Sequence, residues 1–175
     1  MFKTLFKRQT QDRHVQALYA LAVDQARQPD FYTRLGVADR IDARFELYTL
    51  HVLLLFVRLK QDGERGADLS QKLFDAYVSA LDNVLRELGV GDVSVGKKMR
   101  KLGEALYGRM SAYEKALRAG DHEGLQASIA RNVFESEDAA VGAALARYTI
   151  DSHAQLARQS SAAVGKAPDW AKIVA

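Results

Sequence analysis

The chain has 175 residues, with 25 Lys and Arg against 22 Asp and Glu, 48% apolar and 9% aromatic residues, which are the proportions of one medium-sized globular domain with a sizeable core. It contains no cysteine, so a disulfide framework, thiolate metal ligation and a cysteine nucleophile are excluded, and the redox compartment cannot be read. Pro29 and Pro168 are the two prolines, and the interval between them is dominated by Ala, Leu, Arg, Lys and Glu, which predicts helices throughout.

The N-terminus, Met1 to Arg8, alternates bulky apolar and basic residues without the hydrophobic segment of a secretory signal. Phe2, Leu5 and Phe6 can touch an anionic membrane surface, but so short a stub buries little apolar area and reads first as a frayed, solvated tail. Apolar spacing at the helical period then predicts helices over about 11–27, 39–60, 66–88, 94–118, 121–135 and 138–160, with a short final one from about 168. The connectors, 29–38, 61–65, 89–93, Gly120 and 160–167, are mostly short, so successive helices should fold back antiparallel.

The helix from Asp39 carries two apolar stripes, Ile41, Phe45, Tyr48, Val52, Leu55 and Leu59 on one side and Leu47, Leu50, Leu54 and Val57 on the other, so it should be sandwiched at the centre of the bundle. The next helix buries Leu73, Tyr77, Leu81, Val84 and Leu88, shows Asp75, Ser79, Asp82 and Arg86 to water, and should end at Gly89. After it, Val95, Met99, Leu102, Leu106, Met110, Tyr113 and Leu117 make one clean apolar face opposite a basic one, with Ser94 as the helix N-cap. The expected fold is therefore all-α: a single-domain antiparallel helical bundle of about six to seven helices around a central, doubly buried helix. The organisation expected is an N-terminal arm and first helix over 1–30, a helical domain over 31–150, and a helix end and tail over 151–175 in which Trp170, Ile173 and Val174 dock on the body.

The densest apolar run, Leu50 to Val57, contains His51 and falls far short of the ~20 residues that span a bilayer, so no integral membrane segment is expected. Charge is uneven: residues 64–93 carry −3, residues 94–118 carry +5 and residues 119–138 carry −4. These charges either pair between neighbouring helices or form a surface, centred on Lys97, Lys98 and Lys101, for a membrane headgroup layer, ribosomal RNA or an acidic protein.

Catalytic motifs are weak. Gly91-Asp92-Val93-Ser94-Val95-Gly96-Lys97 fits seven positions of a phosphate-binding loop, but Lys98 stands where a magnesium-holding hydroxyl is needed, and a helix precedes it where a strand belongs. Backbone N–H groups at this helix start could still hold an anion, and the glycines equally permit a tight turn. His51 lies seven residues from both Arg44 and Arg58; two flanking cations should keep its imidazole neutral, free to bind a ligand or metal, or simply packed. None of His14, His51, His122 and His153 is at helical spacing from another, so no metal or cofactor is expected. Serine and carboxylate arrangements for hydrolytic or metal-assisted chemistry are absent, and Tyr107 and Tyr113 alone offer stacking on the basic helix, so no DNA partner is expected.

Three ordered blocks carry a resemblance. The first is Phe31-Tyr32-Thr33-Arg34-Leu35-Gly36-Val37-Ala38-Asp39-Arg40-Ile41-Asp42-Ala43-Arg44-Phe45-Glu46 with Leu50-His51. The second comprises Leu73-Phe74-Asp75-Ala76-Tyr77, Leu85 to Asp92, and Val95-Gly96-Lys97-Lys98; the third is Ala105-Leu106-Tyr107-Gly108-Arg109 with Tyr113. Together, over about 31–118, they resemble the ubiquinol-cytochrome c chaperone family, in a short bacterial form. The resemblance implies a non-catalytic assembly factor for respiratory complex III that stabilises newly made cytochrome b. Its partners would be cytochrome b or another complex III subunit, with the ribosome or the inner-membrane surface nearby, and its place the cytoplasm at that membrane. It also makes Arg44, His51, Gly89, Gly91, Asp92, Gly96, Lys97, Tyr107 and Arg109 candidates for partner recognition. A chaperone for apolar segments favours a groove over a bare patch, and the groove expected runs beside the central helix, bordered by Arg44, His51 and Arg58. The alternative is a helical enzyme or sensor for a haem-type or phosphorylated ligand, and a third reading is a general docking scaffold.

Overall fold

A computed structural model describes residues 2–87 and 92–174 of the chain, with side chains described for 13–84, 86–87 and 100–174. Among these residues there is no strand; the fold is an all-α bundle. Its helices are α1 (Phe2–Ala26), α2 (Pro29–Thr33), α3 (Ile41–Leu59), α4 (Gly63–Glu87), α5 (Asp92–Ala119), α6 (His122–Val133), α7 (Ala143–Arg158) and α8 (Ser161–Val164), with single 3₁₀ turns at Lys60–Asp62 and Ala139–Gly142.

The organising element is α3. Every side chain from Thr49 to Leu59 is buried, and α3 contacts α1, α4, α5, α6 and α7. Leu47, Leu50, Leu54, Leu55 and Leu59 have no exposed surface, so the apolar matter of one helix is shared among five neighbours. Its chain exits through two glycines with different tasks. Gly63 takes φ +65°, a conformation open to glycine, and so turns the chain out of the 3₁₀ segment into α4. At Gly66 a Cβ would collide with the Leu59 carbonyl oxygen, so the first turn of α4 can lie against the end of α3 only without a side chain.

Polar side chains start the later elements. Asp121 accepts from the Gly124 N–H at 2.8 Å to cap α6, Asp138 accepts from the Ala140 N–H at 2.9 Å, and Ser160 accepts from the Ala163 N–H at 3.3 Å to begin α8.

Several expectations are corrected. The connector after α1 contains α2, a five-residue helix begun by Pro29 at its first position. No helix starts near 168: the last helical turn is 161–164, and residues 167–174 carry no regular secondary structure. Ser94 is inside α5 rather than at its cap, because the helix begins at Asp92. Ile41 and Val84, assigned to apolar stripes, are 68% and 47% exposed; they fall in the first turn of α3 and the last turn of α4, where a stripe runs past its neighbours. Leu88, Gly89, Val90 and Gly91, and the side chains of Phe2, Leu5, Phe6, Val95 and Met99, lie outside the described residues.

Candidate functional site

A cleft of about 480 Å³ opens between α3, α4 and α5. Leu53 and Phe56 of α3 and Phe74 of α4 give it an apolar floor, with the Phe56 and Phe74 rings 6.0 Å apart. One wall is α5, through Tyr107, Met110, Ser111 and Glu114; the other is α4, through Ala67, Ser70 and Gln71. Lys60, just past α3, spans to Glu114 with its Nζ 3.0 Å from a carboxylate oxygen. At the rim, Tyr107 is 75% exposed, an aromatic ring that the bundle itself does not use. Such a surface can cover an apolar chain segment and offer a phenol hydroxyl at its edge.

Behind α5, the Arg109 guanidinium forms an ion pair with the Glu46 carboxylate at 3.1 Å. Glu46 is almost wholly buried, and its second carboxylate oxygen has no hydrogen-bond partner among the described residues. Burial pushes its carboxyl up to about 7 against the opposing pull of Arg109, with Asp42 adding to the rise. Tyr107 and Arg109, two residues apart, therefore work on different sides of α5, one toward the cleft rim and one toward the core.

The groove expected beside Arg44, His51 and Arg58 does not form. His51 is fully buried, with Nδ1 2.7 Å from the Leu47 carbonyl oxygen and Nε2 2.8 Å from the Tyr148 hydroxyl. Phe31 and Trp170 stand edge-on to its ring at centroid distances of 5.3 and 5.1 Å. Both ring nitrogens are engaged, which leaves no free lone pair for haem or metal in this arrangement. The imidazole is neutral as expected, but for another reason: burial lowers it to about 4, with no part taken by the flanking arginines.

Arg58 is buried too. Its Nε and Nη2 donate to the Gln159 carbonyl at 3.0 and 2.6 Å, its Nε also to the Leu156 carbonyl at 3.0 Å, and its Nη1 to Asp62 at 2.9 Å. It caps the C-terminal end of α7 from within. Arg44 alone of the three is exposed, paired with Asp39 at 2.6 Å.

The basic helix is largely self-neutralised where it is described. Arg100 pairs with Glu104 at 3.4 Å, Arg118 with Glu114 at 2.8 Å, and Arg109 with Glu46. Lys101 and Lys115 are exposed, while the side chains of Lys97 and Lys98 lie outside the described residues. Asp92 to Lys97, most of the phosphate-loop pattern, is helix and not loop. Among the described residues no group of His, Asp and Glu could hold a metal ion, and no helix is long and apolar enough to cross a membrane.

The apolar period of α5, one wall of the cleft, is in the sequence; the hollow beside it depends on three helices together and is not. Of the C-terminal residues expected to dock on the body, Trp170 and Ile173 pack against the core while Val174 is exposed, and residues 167–174 lie on the bundle as a strap. The Ala171 N–H donates to Ser152 at 3.1 Å, Asp169 and Gln159 exchange two bonds at 3.2 and 3.3 Å, and Trp170 covers His51.

Comparison with known proteins bears on this geometry. A family model described as ubiquinol-cytochrome C chaperone matches residues 33–168. Ubiquinol-cytochrome-c reductase complex assembly factor 1 of Xenopus laevis is 22% identical over 69% of this chain and 60% of its own. The assembly factor 1 of Homo sapiens is 25% identical over 67% of this chain and 39% of its own. The chain thus spans between about two fifths and three fifths of these relatives. The crystal structure of the Cbp3 homolog from Brucella abortus superposes with a TM-score of 0.85 at 32% identity, covering 99% of this chain and 98% of that one.

Proposed function

Since the chain belongs to the ubiquinol-cytochrome C chaperone family, we propose that it is a non-catalytic assembly factor that holds the newly made cytochrome b subunit of the ubiquinol-cytochrome c reductase complex at the membrane surface. The observation that carries this reading is the apolar cleft between α3, α4 and α5 with Tyr107 exposed at its rim. An unassembled membrane subunit presents apolar helices in excess of what water tolerates, and a recessed floor of Leu53, Phe56 and Phe74 can cover part of one without making the chaperone itself insoluble. In this reading Lys97, Lys98, Lys101, Tyr107 and Arg109 serve partner recognition; His51 and Arg58, being internal, do not.

Affinity capture from detergent-solubilised membranes, with partners identified by mass spectrometry, tests it. The wild-type chain should recover cytochrome b. Ser111→Trp, which fills the cleft from the exposed side of α5, should lose most of that recovery while melting at nearly the wild-type temperature, and charge reversal at Lys97, Lys98 and Lys101 should weaken it. Recovery of no complex III subunit, or equal recovery by Ser111→Trp, overturns the reading.

A further inference from the structure

A second recess, of about 430 Å³, lies away from the cleft, where α1, α2, the following connector and α3 converge. It is bounded by Arg27, Pro29, Tyr32, Thr33, Asp39 and Arg44. Each arginine is fixed by one bond from its Nε: Arg27 to the Tyr48 hydroxyl at 3.1 Å, with its guanidinium 5.8 Å above the Tyr48 ring, and Arg44 to Asp39 at 2.6 Å. Their terminal Nη groups meet no other oxygen among the described residues.

Arg44 acts on Arg27 as a like charge, and the Tyr32 hydroxyl, which donates to the Ala26 carbonyl at 3.2 Å, stands in the field of Arg44, Asp39, Arg27 and Tyr48. Two exposed guanidiniums that border one hollow, each tied only through its Nε, are an arrangement that an oxyanion can bridge. Asp39 is the sole carboxylate among the bounding residues, so their summed charge is that of one cation and matches a monoanion; Asp24, outside the recess, also acts on Arg27. A phosphate diester carries one charge and two unesterified oxygens, one for each fork. The hollow is far larger than a carboxylate, and its tyrosine and proline walls suit the carbon substituents of a diester.

We propose that Arg27 and Arg44 form a binding site for a phosphate diester of the kind carried by phospholipid headgroups or their soluble derivatives. The site is independent of the assembly role and of the cleft. Titration of the whole chain with glycerophosphoglycerol, followed by calorimetry, should show saturable binding. Arg27→Gln and Arg44→Gln should each weaken it about tenfold, while Arg158→Gln, an exposed arginine on α7, leaves it unchanged. Arg44→Lys, which keeps the charge and loses the fork, is the deciding variant if either glutamine variant melts early: weaker binding supports the site, and equal binding overturns it.

Co-sedimentation with phosphatidylcholine vesicles, with and without phosphatidylglycerol, separates the sources. Retention lost in the Arg27 variant assigns the lipid, and binding of the soluble diester alone assigns a free metabolite of the same chemistry. Absence of saturable binding, equal loss in Arg158→Gln, or competition by acetate as strong as by the diester overturns the proposal. Because no complex III subunit is present in these assays, their failure is distinct from failure of the assembly reading.

Discussion

The two sides of α3 are finished differently. Toward α2, α7 and the C-terminal strap, polar groups are buried and fully engaged: His51 on both nitrogens, Arg58 on three acceptor residues, Tyr148 against Phe31 at 5.0 Å. Toward α4 and α5 the packing stops short, leaving the cleft, an orphaned Glu46 oxygen, and Gly103 and Gly108 in α5 with open space where a Cβ would go. One helix thus supports a sealed half that sets stability and an open half that is free to engage something else. Interior packing and satisfied polar groups are costly to disturb, while a surface kept for a partner tolerates change until the partner is present.

Arg58→Ala should be the most damaging single change, because it removes a buried side chain that donates twice to the Gln159 carbonyl and once each to the Leu156 carbonyl and the Asp62 carboxylate, and leaves the Gln159 carbonyl without those bonds. We expect a loss of about 4 kcal/mol by chemical denaturation. A loss below about 1 kcal/mol would mean that the sealed half is not where stability resides.

The pH dependence of stability should divide along the same line. His51 has a folded pKa of about 4, below the usual 6.5, so its unfolded form takes a proton first. Stability therefore falls as pH drops below 6.5 and levels off near 4. Glu46 is raised from 4.5 to about 7, so its unfolded form ionises first, and stability falls as pH rises from 4.5 through 7. Each limb amounts to about 2 kcal/mol after allowance for local relaxation. The two windows overlap between pH 4.5 and 6.5 with opposite slopes and offset one another in the wild type, so His51→Gln should uncover the fall in stability towards pH 7 and Glu46→Gln the fall towards pH 4. A single variant that removed both would merge the two regions into one.

The smallest effect distinguishes them most directly. Gly108→Ala lies in the interior of α5 with nothing to collide with, so it should stabilise by about 0.5–1 kcal/mol, read as a small rise in Tm. Gly142→Ala, on the other side, would bring its Cβ within 2.6 Å of the Gln126 carbonyl oxygen and should destabilise. If both substitutions have the same sign, the contrast between the halves fails.

What the sequence made legible follows the same division. The all-α class, the main helices and the burial of Leu73, Tyr77, Leu106 and Tyr113 are readable from period alone, since each depends on one helix presenting one face. The burial of His51 and Arg58 is not: polar residues on an apolar helix look like a rim until Tyr148, Leu156 and Gln159, about a hundred positions later, are seen to meet them. α2 is not readable from period, because five residues hold too little of it. Tyr107 was singled out from the family-like block and proves to be exposed at the cleft, whereas Glu46, in another such block, gave no sign of its unpaired oxygen until α5 closed over it.

The strap offers an experimental convenience. The chain has a single tryptophan, and Trp170 lies edge-on to the His51 ring, so its emission is a built-in optical gauge of whether that segment is seated. Because Trp170 touches the sealed half and none of the cleft, a client that enters between α3, α4 and α5 should leave the fluorescence almost unaltered, and a spectral change on mixing would locate the encounter at the opposite pole.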